Sequence, residues 1–123
     1  MKYYFFILLF IFFSSCKNEA SKPSIENQVA SVPTIEKGLA LFEENNCTAC
    51  HQVDQKVIGP SLQEMGKIYK EQNGDIVAFL KEEAQPIVDP SMYESMKINL
   101  QITKTMSDEE LQSLELYLLS HSK

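Results

Sequence analysis

Two cysteines and a histidine form the most chemically specific segment of the sequence, which reads Cys47-Thr48-Ala49-Cys50-His51. In an exported protein, C-x-x-C followed directly by histidine is typical of covalent attachment of a c-type haem. The two thiols would add to the two vinyl groups of the porphyrin and form thioethers. The imidazole of His51 would then fall beneath the iron as its proximal ligand. The segment therefore predicts one covalently bound haem c per chain.

Other chemistries of this cysteine pair fit the sequence less well. A redox-active disulfide of the thioredoxin type belongs beside a βαβ pattern, and no strand pattern is readable in the chain. A structural zinc ion needs four ligands, and the available set is Cys47, Cys50, His51 and the terminal His121. A structural disulfide would close a very small loop and stabilise little. Haem is favoured, and a zinc or thiol-redox lipoprotein without haem is the alternative that a colourless protein would support.

The N-terminus carries the pattern of an export signal. Lys2 precedes an apolar run over residues 3–13, which is shorter than the roughly 20 residues of a membrane-spanning helix. Small residues follow and end at Cys16, an arrangement that resembles the bacterial lipoprotein signal. The resemblance implies that residues 1–15 are a signal peptide and that acylated Cys16 attaches the protein to a membrane. Residues 16–33 contain Ser, Pro and amide side chains and are predicted to be a flexible tether.

Length and charge narrow the range of functions. The chain has 123 residues with 11 basic and 17 acidic side chains, which gives a net charge of −6. This length predicts one folded domain, which we assign to residues 34–123. The acidic balance argues against nucleic acid as a partner and favours a protein with a basic patch. A domain of this size has a thin hydrophobic core, so a cofactor is expected to complete it.

Four helical patterns and no strand pattern predict an all-α domain. Three of the patterns cover residues 34–45, 61–72 and 75–84. The fourth begins at Ser107, which forms a capping box with Glu110, while Met106 and Leu111 occupy the positions of a hydrophobic staple. Its buried face is expected to consist of Leu111, Leu114, Tyr117 and Leu118. The stretch from Pro86 to Thr105 is predicted to be a long irregular loop, and such a loop in a compact domain usually has a function.

From Gly38 to its end, the chain resembles the bacterial class I monohaem cytochromes c. The resemblance rests on Gly38, Phe42, Cys47, Cys50, His51, Gly59-Pro60-Ser61-Leu62 and the segment Leu114 to Leu118 around Tyr117. It implies the small cytochrome c fold, in which four short helices surround one haem. It also implies that Gly38 lies against Leu114 and Tyr117 where the first and last helices cross. The carbonyl of Pro60 is expected to accept a hydrogen bond from His51 and to orient the imidazole ring.

The sixth iron ligand is expected to be a methionine from the downstream chain. Met65 shares an apolar helix face and suits the core, and Met106 is occupied in the staple. Met92 and Met96 remain, and their i, i+4 spacing would place both on one side of a helical turn. The residues alone do not decide whether Met92 or Met96 is the ligand. The family resemblance favours Met96 as the ligand, with Met92 as the alternative, and His121 is expected to be a frayed terminal residue.

These features predict an electron carrier rather than an enzyme. The protein is expected on the periplasmic side of a bacterial membrane, as a lipid-anchored monomer with one haem and His/Met ligation. Its redox partners would be a respiratory complex, a reductase or an oxidase, which carry electrons to or from the iron one at a time. The alternative from another class is a haem enzyme or gas-binding sensor, which requires an open sixth position.

Overall fold

The computed structural model describes residues 32–123, so the predicted signal peptide, Cys16 and most of the tether lie outside the described residues. The helices are α1 (Ile35–Glu44), α2 (Leu62–Gln72), α3 (Ile76–Leu80), α4 (Tyr93–Thr103) and α5 (Asp108–Ser120). Two single 3₁₀ turns, Cys47–Ala49 and Pro90–Met92, lie between them. This confirms the all-α class for the described residues. Within the same residues, no helix is long and apolar enough to cross a membrane.

Side chains at the start of four helices satisfy the backbone N–H groups of the first turn. The N-cap oxygens of Thr34, Ser61, Asp75 and Ser107 accept from the backbone nitrogens of Lys37, Glu64, Ala78 and Glu110, respectively. At α5 the predicted capping box is present, because the Glu110 carboxylate also accepts from the Ser107 backbone N–H at 2.8 Å. This contact lowers the pKa of the Glu110 carboxyl. The helix starts are therefore local consequences of single side chains.

The helices α1 and α5 cross in close contact at Gly38. A Cβ atom on Gly38 would overlap the backbone oxygen of Ser113 and would lie 2.7 Å from the Cβ of Tyr117. The ring centroids of Phe42 and Tyr117 are 5.4 Å apart beside this contact. The expected contact of Gly38 with Tyr117 is confirmed, and the other atoms nearest to this position belong to the backbone of Ser113. Leu114, the other expected partner, is a buried member of the hydrophobic core.

The stretch from Pro86 to Thr105 is not an irregular loop throughout, because it contains α4. Only Leu100 and Thr103 of this helix are buried, and Ile98 is 74% exposed. Its N-cap has no side-chain hydrogen bond. A helix with apolar residues on its exposed side and no capping residue lacks the sequence pattern by which helices are recognised. The domain therefore has five helices where four were expected.

The third predicted helix is shorter than the sequence suggested, because α3 ends at Leu80 and not at residue 84. Glu82 adopts a left-handed backbone conformation with φ 60, which interrupts a right-handed helix. Its carboxylate accepts hydrogen bonds from Lys104 at 2.7 Å and Gln101 at 3.1 Å. These contacts from the end of α4 stabilise a backbone conformation that glutamate rarely adopts.

Candidate functional site

A cavity of about 410 Å³ occupies the middle of the domain. All five helices contribute side chains to it, and most of its lining is apolar: Phe42 from α1, Tyr69 from α2, Leu80 from α3, Ile102 from α4 and Leu118 from α5 are examples. Two segments contribute many of the lining residues: the proximal loop (residues 47–60), and the distal segment (residues 86–103), which includes α4. Six of the ten buried hydrophobic side chains line this cavity, so much of the core surrounds it.

The two cysteines and the histidine of the motif all line this cavity. Cys47 lies in a 3₁₀ turn that follows Asn46, whose left-handed φ of 58 redirects the chain after α1. The backbone N–H of His51 donates to the Cys47 carbonyl at 3.0 Å, which closes the turn. Both thiols are half-buried. Burial raises the pKa of the Cys47 thiol, and the neighbouring Cys50 raises it further.

The imidazole of His51 is held in one orientation. Its Nδ1 lies 2.8 Å from the carbonyl oxygen of Pro60. A carbonyl can only accept, so Nδ1 is the protonated nitrogen and donates, which leaves the lone pair of Nε2 available to a metal. Gly59 packs against the ring, because a Cβ there would lie 2.8 Å from Nδ1. The Gly59 backbone N–H donates to the Cys50 carbonyl at 2.9 Å and ties the loop to the motif.

Three of the four downstream methionines line the cavity. Met92 and Met96 reach it from the distal segment, and Met65 reaches it from α2. The Nδ2 of Asn99 lies 4.0 Å from the sulfur of Met96. Met106 is absent from the lining and packs against the core cluster near the start of α5, as its role in the staple implies. The fold therefore brings both candidate ligands to the same cavity as His51.

His121 is not a frayed terminal residue, contrary to expectation. It is the C-cap of α5, and its ring stands edge-on to Tyr117 at a centroid distance of 4.9 Å. It does not line the cavity. Among residues 32–123, the His, Cys, Asp and Glu side chains form no group of three or more that could hold a metal ion. Over this part of the chain, the zinc alternative lacks a set of ligands.

Two features of the cavity were missed in the sequence. One is a row of aromatic rings, Tyr69, Phe79 and Tyr93, with successive centroids 6.5 and 6.2 Å apart. Burial raises the pKa of Tyr69 to about 12, so its phenol stays protonated and can donate. Tyr93 was not expected because it lies in the stretch predicted to be irregular. Its spacing from Phe79 gives no local signal, since the two rings meet only through the tertiary fold.

The other missed feature is an ion pair between Lys56 and Asp89, whose Nζ and Oδ2 atoms are 2.8 Å apart. The contact with Lys56 is the main reason why the pKa of the Asp89 carboxyl is lowered. Asp89 is the one acidic residue in the lining of the cavity. The two residues are 33 positions apart in the chain, so no spacing rule could have paired them.

The side chains around the cavity fit a haem. The proximal loop carries two thiols and an imidazole with an available nitrogen. The distal segment carries the sulfur atoms of Met92 and Met96. The glycine at position 59 leaves room for the imidazole ring where any side chain would crowd it. Apolar walls surround the remaining space and would exclude water from a porphyrin.

Comparison with known proteins identifies the family. The family model described as Cytochrome c matches residues 35–122. The Cytochrome c-552 of Nitrosomonas europaea is 46% identical over 33 residues, which are 27% of this chain and 32% of that protein. The Cytochrome c-551 of Azotobacter vinelandii is 41% identical over 39 residues, which are 32% of this chain and 48% of that protein. Each match thus spans less than half the length of the curated relative.

The family match extends over nearly all of the described domain, and its range includes the C-x-x-C-H motif at Cys47, Cys50 and His51. The chain belongs to the cytochrome c family, whose cofactor is a covalently attached haem c.

Proposed function

We propose that this chain is a lipid-anchored periplasmic electron carrier in which His51 and Met96 ligate the iron of one haem c. Membership of the family makes it an electron-transfer haem protein. The observation that supports ligation by His51 and Met96 is that both residues line the same cavity as Cys47 and Cys50. The bound haem supplies an iron that gains and loses one electron. The protein residues determine how easily it does so.

In this proposal the proximal loop supplies attachment and orientation. Cys47 and Cys50 would form the two thioethers with the haem, and His51 would ligate the iron through Nε2. The hydrogen bond from Nδ1 to the Pro60 carbonyl fixes the ring and makes the imidazole a more basic ligand. The apolar lining keeps water away from the iron, which limits the rearrangement that accompanies a change of its charge.

Met96 is the proposed sixth ligand, and Met92 is the alternative. Met96 lies within α4, and the Asn99 amide close to its sulfur is on the next turn of the same helix. Met92 lies in the 3₁₀ turn just before α4. The family resemblance of the segment from Met96 to the start of α5 supports Met96. A thioether ligand raises the reduction potential and closes the iron to small molecules, as an electron carrier requires.

Visible spectra of the holoprotein test this ligation. We expect a far-red band in the ferric protein, which arises from charge transfer between methionine sulfur and iron. The band should be lost in Met96→Ala and retained in Met92→Ala, with Met65→Ala as a matched control on the same cavity. Loss in Met92→Ala alone would transfer the role to Met92. Rapid binding of carbon monoxide by the untreated ferrous protein would favour an enzyme or gas sensor instead.

Membrane attachment and partners belong to the same proposal. The signal at residues 1–15 and the tether at residues 16–33 would let the domain reach partners while the lipid on Cys16 holds it at the membrane. Its partner would be a respiratory complex, a reductase or an oxidase, and it would act as a monomer. Labelling of cells with a radioactive fatty acid should mark the wild type and leave Cys16→Ser unlabelled. Equal labelling of both proteins would contradict the anchor.

The acidic charge of the chain predicts a partner with a basic surface. The chain has 17 acidic and 11 basic side chains, which give a net charge of −6. Attraction between opposite charges speeds association at low salt and is screened as salt is added. Stopped-flow rates of electron transfer to a basic redox partner should therefore fall as the ionic strength rises. Rates that do not respond to salt would contradict this part of the proposal.

A further inference from the structure

The Lys56–Asp89 ion pair connects the two sides of the haem cavity. Lys56 belongs to the proximal loop and Asp89 to the distal segment. The other ion pairs of residues 32–123 do not join these two segments: Lys37–Glu109, Lys67–Glu71, Lys81–Asp108 and Lys104–Glu82. No side-chain hydrogen bond between described residues joins the two segments apart from this one. The pair is thus their direct polar connection.

Asp89 is firmly placed on the distal side. Its side chain is only 17% exposed. While one carboxylate oxygen meets Lys56, the other accepts from the Ser91 hydroxyl at 2.6 Å. The backbone carbonyl of Asp89 accepts from the Met92 N–H at 3.1 Å, at the turn that leads into α4. Because these contacts place Asp89 at this turn, a contact that holds its carboxylate also holds the start of the helix that carries Met96.

Lys56 is placed on the proximal side by the backbone. His51 and Lys56 form an isolated antiparallel β-bridge, so the backbone of the lysine is paired with that of the proposed iron ligand. The same loop is closed by the hydrogen bonds of Gly59 to Cys50 and of His51 to Pro60. The Lys56 side chain itself is 57% exposed, so it can be changed without opening the core.

We propose that the Lys56–Asp89 pair is a clasp that holds the distal segment over the haem and slows departure of the methionine ligand. The inference rests on the methionine ligation proposed above. An exposed ion pair usually contributes little, partly because both side chains must be ordered to form it. Here Asp89 is already ordered by Ser91 and by its burial, so that cost is small. Lys56 and Asp89 are positioning residues, since neither needs to contact the iron.

The test is the rate at which imidazole replaces the sixth ligand of the ferric holoprotein, followed by loss of the far-red band. We expect Lys56→Met to raise this rate by about threefold to fivefold, the range that a modest ion pair can supply. Lys56→Glu should raise it further by repulsion, and Lys56→Arg should restore it nearly to wild type. Lys67→Met is the matched control, because it breaks the exposed pair with Glu71 on α2.

A second variant tests whether both residues act through one contact. Asp89→Asn keeps the size of the side chain and should speed the exchange like Lys56→Met. The double variant should be no faster than either single one, because a broken contact cannot be broken twice. The midpoint of thermal unfolding of Lys56→Met should equal that of Lys67→Met, which separates ligand retention from general stability.

The outcomes distinguish this inference from the proposed function. A wild-type protein without the far-red band would overturn methionine ligation and the clasp with it. A wild-type protein with the band, together with equal exchange rates in Lys56→Met, Lys56→Glu and Lys67→Met, would overturn the clasp alone. Rates that add in the double variant would also overturn it, since the two side chains would then act independently.

Discussion

The proximal loop and the distal segment face each other across one cavity, but they are held in different ways. The proximal loop has only a single 3₁₀ turn, yet hydrogen bonds of Cys50, His51, Gly59 and Pro60 hold its backbone and its histidine. The distal segment is mostly the regular helix α4, of which only Leu100 and Thr103 are buried. Regular secondary structure and firm positioning are therefore separate properties, and paired polar groups can provide the second without the first.

This contrast has a chemical counterpart. The proximal loop carries the covalent attachment and the proposed ligand His51, whose position must not change between oxidation states. The distal segment carries Met96, a ligand whose departure would open the iron. A segment with few buried contacts opens locally at lower free energy than the whole fold does. Matched variants on the two sides of the cavity test whether they differ in this way.

The largest effect should follow removal of the covalent attachment on the proximal side. In Cys47→Ala/Cys50→Ala we expect no haem to remain after denaturation in acid and acetone. The domain should also lose most of its helical circular dichroism, because much of its core surrounds the cavity. Met96→Ala is the matched change on the distal side and should keep both haem and helix content. A well-folded double cysteine variant would contradict the idea that haem completes the core.

Two buried leucines provide the sharpest test of the contrast. Leu62 begins α2 directly after the proximal loop and is 1% exposed, while Leu100 on α4 is 0% exposed. Replacement of either by Ala should lower the free energy of unfolding by about 2–5 kcal/mol. Only Leu100→Ala should lose the far-red band at a denaturant concentration below the loss of helix signal. Coincident transitions in both variants would show that the two sides open together.

A smaller effect is expected at Gly59. The Cβ of Gly59→Ala would lie 2.8 Å from Nδ1 of His51, and crowding of this kind costs about 1–3 kcal/mol. It should also weaken the hydrogen bond to Pro60, which makes the imidazole less basic and raises the reduction potential.

Gly66→Ala is the matched control for this change. Its Cβ would lie 2.9 Å from the backbone oxygen of Leu118, away from the imidazole. It should destabilise the domain by a similar amount without changing the potential. Equal shifts of potential in both glycine variants, measured by redox titration, would contradict the specific role of Gly59.

The smallest effect, on α5, should affect both sides of the cavity equally. Ser107→Ala removes the N-cap and should lower the free energy of unfolding by about 1 kcal/mol at neutral pH. The pKa of Glu110 is lowered from its ordinary value of 4.5 by its contacts with Ser107. The contribution of Glu110 is therefore present above pH 4.5 and is lost as the pH falls through its lowered pKa. Urea unfolding should therefore show the wild type and Glu110→Gln converging in acid, whereas the cost of Ser107→Ala should change less with pH because alanine keeps the backbone N–H that donates to Glu110. A constant difference between the wild type and Glu110→Gln would contradict this.

Local chemistry explains what was predictable. The N-caps of α1, α2, α3 and α5 are single side chains followed by amphipathic patterns, so these helices could be recognised from short stretches of sequence. The haem motif is equally local. The class of the fold and the haem cofactor were therefore within reach, and both were confirmed.

The features that were missed depend on contacts between distant parts of the chain. The helix α4 exposes Ile98 and lacks a capping side chain, so only its packing through Leu100 reveals it. The early end of α3 depends on Glu82, whose conformation is supported by residues of α4. The Lys56–Asp89 pair joins two loops that no periodicity connects. Sequence patterns show which face of a helix or strand is apolar and which is polar. These features depend instead on contacts with residues that are distant in the sequence.

The aromatic row gives the domain a built-in optical reporter. The chain has no Trp, so its ultraviolet emission comes from tyrosine alone. Tyr69 and Tyr93 line the cavity, and Tyr117 packs on Phe42, which also lines it. A porphyrin in the cavity would absorb the energy of all three excited phenols at short range. Once residues 1–15, which include Tyr3 and Tyr4, are removed as proposed, tyrosine fluorescence should therefore be nearly dark in the protein that carries haem and bright in the protein that lacks it.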